Sequence, residues 1–132
     1  MLATILHSEK DSESARLAAL DEFTRAYVEC ALWSSIDDSG EPLDKSKSAG
    51  DIAPETLLAM AEDCKQFQQA NYRMIAADLS RAGFHFWLTR NHHGAGYWDG
   101  DYSRKIGQIL TDRAQEFGEC SLYVGDDSLV YC

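Results

Sequence analysis

Hydrophobic positions between 12 and 35 recur every three or four residues, so the first predicted element is a helix. Leu17, Leu20, Phe23, Tyr27, Cys30 and Trp33 would share one of its faces. Asp11, Ser12 and Ser14 stand at its start as candidate N-caps, because their short oxygens accept from unpaired first-turn amides. Residues 1–11 read as a flexible N-terminus. Over 36–51 the polar run IDDSGEPLDKSKSAGD breaks the pattern and predicts a long loop, either mobile or functional.

Pro54 opens a second helix at a position where its missing amide hydrogen costs nothing. Leu57, Met60, Ala61, Cys64, Phe67, Asn71, Met74, Ile75 and Leu79 keep the period, and Gly83 reads as its left-handed C-terminal glycine. A helix of that extent reaches about 45 Å, which predicts a kink, a projecting end or pairing with a second copy.

After Gly83 the pattern turns extended. Residues 84–90 and 95–99 read as the strands of a β-hairpin around an Asn91-His92-His93-Gly94 turn. Residues 103–117 return to helical period, with Ile106, Ile109, Leu110, Ala114 and Phe117 on one side and Gly118 as the stop. LYV and LVY, separated by Gly125-Asp126-Asp127-Ser128, predict a second hairpin lying beside the first. The expected fold is a single α+β domain over 1–132, its helices packed on a small antiparallel sheet made of two β-hairpins.

Charge changes the picture more than composition does. Twenty-two acidic against 12 basic residues give a formal net charge of -10. Such a surface repels phosphate backbones, which argues against direct nucleic-acid binding. It serves solubility, or attracts the basic surface of another protein. The apolar runs fall far short of the roughly 20 residues of a membrane span. The opening MLATILHSEKDSES has neither a basic n-region nor a long apolar core, so a cytoplasmic protein is expected. Cys30, Cys64, Cys120 and Cys132 form no CxxC pair or zinc-finger spacing. Free thiols are the simplest account of them, with a disulfide from Cys132 as the lesser alternative.

Candidate chemistry is sparse. His85, His92 and His93 near Asp99 and Asp101 bring zinc or manganese to mind, but adjacent histidines on a hairpin tip point apart. Asp99-Gly100-Asp101 resembles the start of a calcium loop, yet the twelfth position is Leu110 where a bidentate glutamate is needed. A turn followed by helix capping at Ser103 explains it better. Cys120 and Cys132 are candidate nucleophiles and His85 or His92 candidate bases, but no recognised signature joins them.

Four segments carry a resemblance: ALWSSIDDSGEPLD (31–44), DIAPETL (51–57), FWLTRNHHGAGYWD (86–99) and FGECSLYVGDDSLVY (117–131). In order and spacing they are similar to a family of small, uncharacterised proteins encoded by bacteriophages and prophages. The resemblance implies a mobile-element origin and brings no catalytic residue with it. The chain departs from the usual pattern at two turns, where His92 and Ser128 stand in place of glycine. Both are positions where glycine supplies a positive φ at little cost.

The densest candidate surface is Trp87, Arg90, Asn91, His93, Tyr97, Trp98 and Asp99. Neighbours on a strand face opposite ways, so these aromatics are either sandwiched between helices or form a recognition face. The leading expectation is a non-enzymatic phage or mobile-element protein without cofactor or metal. It would bind a host or phage protein with a basic surface, in counter-defence or to inhibit a host regulator. The alternatives are a small enzyme or ligand-binding domain around 90–101, and a homodimeric module built along the second helix.

Overall fold

Asp21 starts the first helix. Its Oδ1 accepts from the Thr24 amide at 2.8 Å, and α1 runs Glu22–Ser34. The computed structural model describes residues 20–132. Asp11, Ser12, Ser14, Leu17 and the stretch 1–11 lie outside the described residues. From α1, Phe23, Thr24, Tyr27, Val28, Cys30, Ala31 and Leu32 are buried, but Trp33 faces out, against expectation.

The predicted long loop is held by its own side chains. Asp37 Oδ1 accepts from the Ser39 amide, the Ser39 hydroxyl and the Glu41 amide, and Ile36 bridges Pro42. Two short 3-10 turns follow, Leu43–Lys45 and Ala49–Asp51, the second closed by a reciprocal Ser48–Asp51 cap. Leu43 and Ile52 are its buried pegs.

Pro54 opens α2, which runs Pro54–Ile75. It is shorter than expected and does not run on to Leu79. The chain breaks at 76–78 and restarts as α3, Leu79–Arg90, capped by Asp78 Oδ1 on the Arg81 amide at 3.0 Å. Gly83 therefore lies inside α3 and ends nothing. It sits where α3 meets α1, with the Phe23 carbonyl against its backbone.

The predicted first hairpin is absent. Residues 84–90 are helical, and the one pleated layer expected from two ribbons does not exist. The physical reason is burial on every side: in α3, all of Phe86, Trp87, Leu88, Thr89 and Arg90 are buried. A helix enclosed all round shows no amphipathic period, and a short apolar run then reads equally as strand. Phe86 stacks on Phe67 at 4.3 Å and meets Tyr27 at 5.2 Å, which places α3 at the centre of the core.

The expected turn at 91–94 becomes the C-terminus of α3. His92 has φ 56°, its amide donates to Thr89 O, and the His93 amide donates to Leu88 O. That paired closure is a Schellman motif, with histidine in the place glycine usually takes. Positive φ at His92 was expected on other grounds, and it is present. Tyr97 then plugs the core, donating its hydroxyl to Ala82 O at 2.5 Å.

Helix α4 runs Arg104–Gln115 with Ser103 as N-cap, and Gly118 beyond it has φ 78°. Both agree with the sequence reading. The terminal hairpin also forms: β1 (Tyr123–Val124) pairs antiparallel with β2 (Val130–Tyr131). Ser128 takes φ 68° in its turn, as expected. This hairpin docks on the lead-in to α2, where Ile52 bridges Val130. The described residues thus form a mostly helical fold with one small sheet. None of these helices is long and apolar enough to cross a membrane.

The cysteines divide. Cys30 and Cys64 are free and buried, whereas Cys120 and Cys132 form a disulfide with their Cα atoms 5.8 Å apart. Free thiols, the simpler expectation, hold for Cys30 and Cys64 only; the lesser alternative, a disulfide from Cys132, is the one taken, with Cys120 as its partner.

Candidate functional site

Arg90 is the best-satisfied polar group of the interior. It is 4% exposed and closes the last turn of α3. Its Nε donates to Gly118 O at 2.8 Å and its Nη2 to Phe117 O at 3.0 Å. Nη1 serves both Tyr27 Oη at 3.0 Å and Asp63 Oδ2 at 2.9 Å. The guanidinium also stands 5.7 Å from the Phe86 ring and 5.8 Å from the Phe117 ring. Burial opposes its charge, but Tyr27 and Asp63 more than offset this and raise its pKa above the usual value. Four acceptors from three parts of the chain converge on one fork, which is a clamp between α1, α2, α3 and the end of α4.

The other nominated residues scatter around that clamp. Trp87 is buried and donates to Ser34 Oγ at 2.8 Å, tying α3 to the end of α1. Asn91 donates to Trp87 O and accepts from the Cys120 amide at 2.7 Å, holding the segment after α4. Tyr97 is core. Asp99 Oδ2 accepts from the Gly96 amide at 2.8 Å and closes its own turn, and Trp98 beside it is exposed. His93 lines a shallow cavity with Trp87 and Asn91, Arg90 lines a different one, and Asp99 lines neither. The sequence-nominated set is therefore not gathered into one pocket.

His85 and Asp101 do come together, at 2.9 Å from Nε2 to Oδ2, with Arg81 Nη1 3.5 Å from Oδ1. The hydrogen bond with His85, aided by the charge of Arg81, holds the Asp101 carboxyl below its usual range despite some burial. An ionised carboxylate only accepts, so Nε2 carries the hydrogen. Nδ1 is buried without a partner among the described residues. The His85 ring itself lines the groove between α1 and α3. His92 stands apart, 3.7 Å from Glu119 and 3.3 Å from Gln115. No three His, Cys, Asp or Glu side chains among the described residues gather as a metal site. Burial pushes both free thiols up, Cys30 to about 12, which silences them as nucleophiles at neutral pH.

What stands outside is apolar. Trp33 on α1 is 57% exposed, Tyr123 on β1 57%, and Ile36, which bridges Pro42 in the loop after α1, 64%. Trp33 leans on Phe84 at 5.6 Å along a groove of about 800 Å³ between α1 and α3, whose rim carries Glu22, Glu29 and Asp44 beside Arg25 and Arg81. Ile36, Tyr123 and Val124 border a second groove of about 390 Å³ with Asp37 and Asp38. Trp33 escaped the sequence reading because it keeps helical period with Phe23 and Tyr27. Ile36 and Tyr123 carried no signal that separated them from core positions.

No protein-family model, curated protein or solved structure matches the chain. The surface must be read from its own chemistry.

Proposed function

We propose that the chain is a non-enzymatic accessory protein of a phage or mobile element, acting by binding another protein through an acidic surface. Interference with host defence or with a host regulator is the role that fits such a product. One observation carries the reading: large apolar side chains stand exposed, Trp33 on α1, Tyr123 on β1 and Ile36 at an isolated bridge to Pro42, on a chain with formal net charge -10. Aromatic anchors on a rigid frame are what interfaces favour, and the acidic surround selects a basic partner. Arg90, Trp87 and Tyr97 support that surface from within as scaffold.

Affinity purification of the tagged chain from the lysogenic or infected host, repeated at stepped salt, tests the proposal. A partner with a basic surface is expected, with recovery falling steeply as salt rises and falling again with Trp33→Ala. Salt-insensitive recovery, or no partner at all, counts against it. The homodimer alternative draws only on Leu58 and Tyr72, exposed on α2 with Glu62, Lys65 and Gln66 between them. A doubled mass by light scattering would favour it.

A further inference from the structure

The terminal hairpin leaves one strand edge open. Its turn is a three-residue loop with a G1-type bulge: the Ser128 amide donates to Gly125 O at 3.0 Å, and the Gly125 amide to Leu129 O at 2.8 Å. Alternation from Gly125 makes Tyr123 and Tyr131 the mutually bonded pair, while Val124 and Val130 turn their amides and carbonyls outward. On the β2 side this outward carbonyl is used, since Val130 O accepts from the Ala53 amide at 2.9 Å. On the β1 side the sheet ends, and no third strand pairs with Val124 among the described residues.

The second groove lies along that edge. On the hairpin side it is lined by Leu122, Tyr123 and Val124 and by no residue of β2, which puts it on the β1 side of the sheet. Ile36, Asp37, Asp38 and Ser39 line it too, with Ser46 and Lys47. The one cation there, Lys47, donates its ammonium to Ser128 O at 2.7 Å, at the turn end. The Ser39 hydroxyl, and then the Glu41 amide, hold the Asp37 carboxyl below its usual range.

We infer that the outer edge of β1 accepts an extended, lysine- or arginine-bearing segment of a partner protein as an added strand, its basic side chains meeting Asp37 and Asp38. Main-chain bonds to Val124 hold the segment, Ile36 and Tyr123 cover its apolar side chains, and the acidic residues select its charge. A second copy of this chain fits poorly, because it would bring the same two aspartates and a net charge of -10 to the same edge. The inference deepens the protein-binding reading above and rests on it.

The test titrates the isotope-labelled full chain with two capped hexapeptides, Lys-Val-Lys-Val-Lys-Val and Glu-Val-Glu-Val-Glu-Val, at low and physiological salt. The lysine peptide should shift the amide signals of Val124 and of 36–39, slow exchange of the Val124 amide, and weaken with salt. Val124→Pro removes the outward amide while sparing the bonds of Tyr123 and Gly125 to β2, and should weaken binding at least about tenfold. Asp38→Lys, which leaves the hairpin untouched, should also weaken it. Equal binding of the glutamate peptide, shifts confined to other surfaces, or wild-type binding by folded Asp38→Lys would overturn the site. So would a doubled mass that Val124→Pro abolishes. The two readings fail separately. A cellular partner captured equally by wild type and Val124→Pro overturns the strand site alone; lysine-peptide shifts at Val124 with no partner captured overturn the accessory-protein reading alone.

Discussion

Gly83 on α3 lies directly against the backbone carbonyl of Phe23 on α1, so closely that a Cβ at position 83 would collide with that oxygen. The obstacle is helix backbone, which cannot rotate aside as a side chain can. Gly83→Ala should therefore force α1 and α3 apart and cost about 3 kcal/mol, although alanine is the better helix former. Urea unfolding checks this against Gly94→Ala, where the added methyl meets nothing within 4 Å and stability should hardly change.

His92 and Ser128 are the two non-glycine residues with positive φ among those described, at 56° and 68°. Each side chain pays a steric cost there that glycine avoids. His92→Gly and Ser128→Gly should each raise stability by about 1 kcal/mol, less the entropy of a freer unfolded chain. For His92 the exposed contacts to Gln115 and Glu119 are minor losses. Thermal unfolding of the single and double variants should show additive gains, since the two sites belong to separate motifs.

Arg90 closes four hydrogen bonds at once, and removing it leaves Tyr27, Asp63 and two main-chain carbonyls with a missing donor. Arg90→Met should cost about 3 kcal/mol or more. Arg90→Lys should recover little of it, because a single ammonium cannot span acceptors arranged for a planar fork. Asp63→Asn should be milder, since the carboxylate is part-exposed and an amide oxygen still accepts. Denaturant midpoints of the three variants give the ranking directly.

How far the sequence disclosed the fold follows from which faces its helices show to water. Helix α4 was legible because Leu110 and Ala114 face the core while Gln108 and Asp112 face out, and Ser103 and Gly118 mark its ends. Helix α3 was not, because Phe86, Trp87 and Leu88 are all interior and leave no period to read. Gly83 misled for a related reason: glycine both ends helices and lets two of them touch, and only the neighbour at Phe23 separates these uses. At the candidate site, Trp87, Arg90 and Tyr97 were nominated as a binding surface, but all three are buried, because a residue type that anchors an interface anchors a core equally well. The open edge at Val124 depends on hydrogen-bond parity in the hairpin, and composition does not carry that.

Acid should weaken the fold through its capping and turn carboxylates. Burial pulls the Asp21 carboxyl up, but Thr24 and Gln68 more than offset this and leave its pKa below the usual 3.8. A depressed folded-state pKa gives stability that is fully present above the unfolded value and lost as pH falls through the folded one. Asp101 and Asp127 are shifted the same way, chiefly by His85 and by Tyr131. The contribution of these three carboxylates should therefore be flat from neutral pH to about 5 and decline below about 4. Asn also caps well and does not titrate, so Asp21→Asn should match wild type within about 0.5 kcal/mol at neutral pH and show a shallower acid limb. Urea midpoints from pH 3 to 7 decide it; an unchanged limb would remove Asp21 from the account.

The Cys120–Cys132 disulfide closes a short loop around the whole terminal hairpin, 12 residues apart in sequence. By the chain-entropy relation such a loop is worth about 3 kcal/mol, supplied by restricting the unfolded state. Cys132→Ser should lose about that much under oxidising conditions. Wild type in reductant should fall to the same level, and the variant should then be indifferent to reductant. Thiol titration in denaturant separates the cysteines: two react before reduction, Cys30 and Cys64, and four after. If four react without reductant, the pair is a dithiol in the isolated protein and the stability difference should vanish with it. Because Asn91 holds the Cys120 amide from α3, the loss should appear first as faster exchange in β1 and β2, while α1 and α3 stay protected.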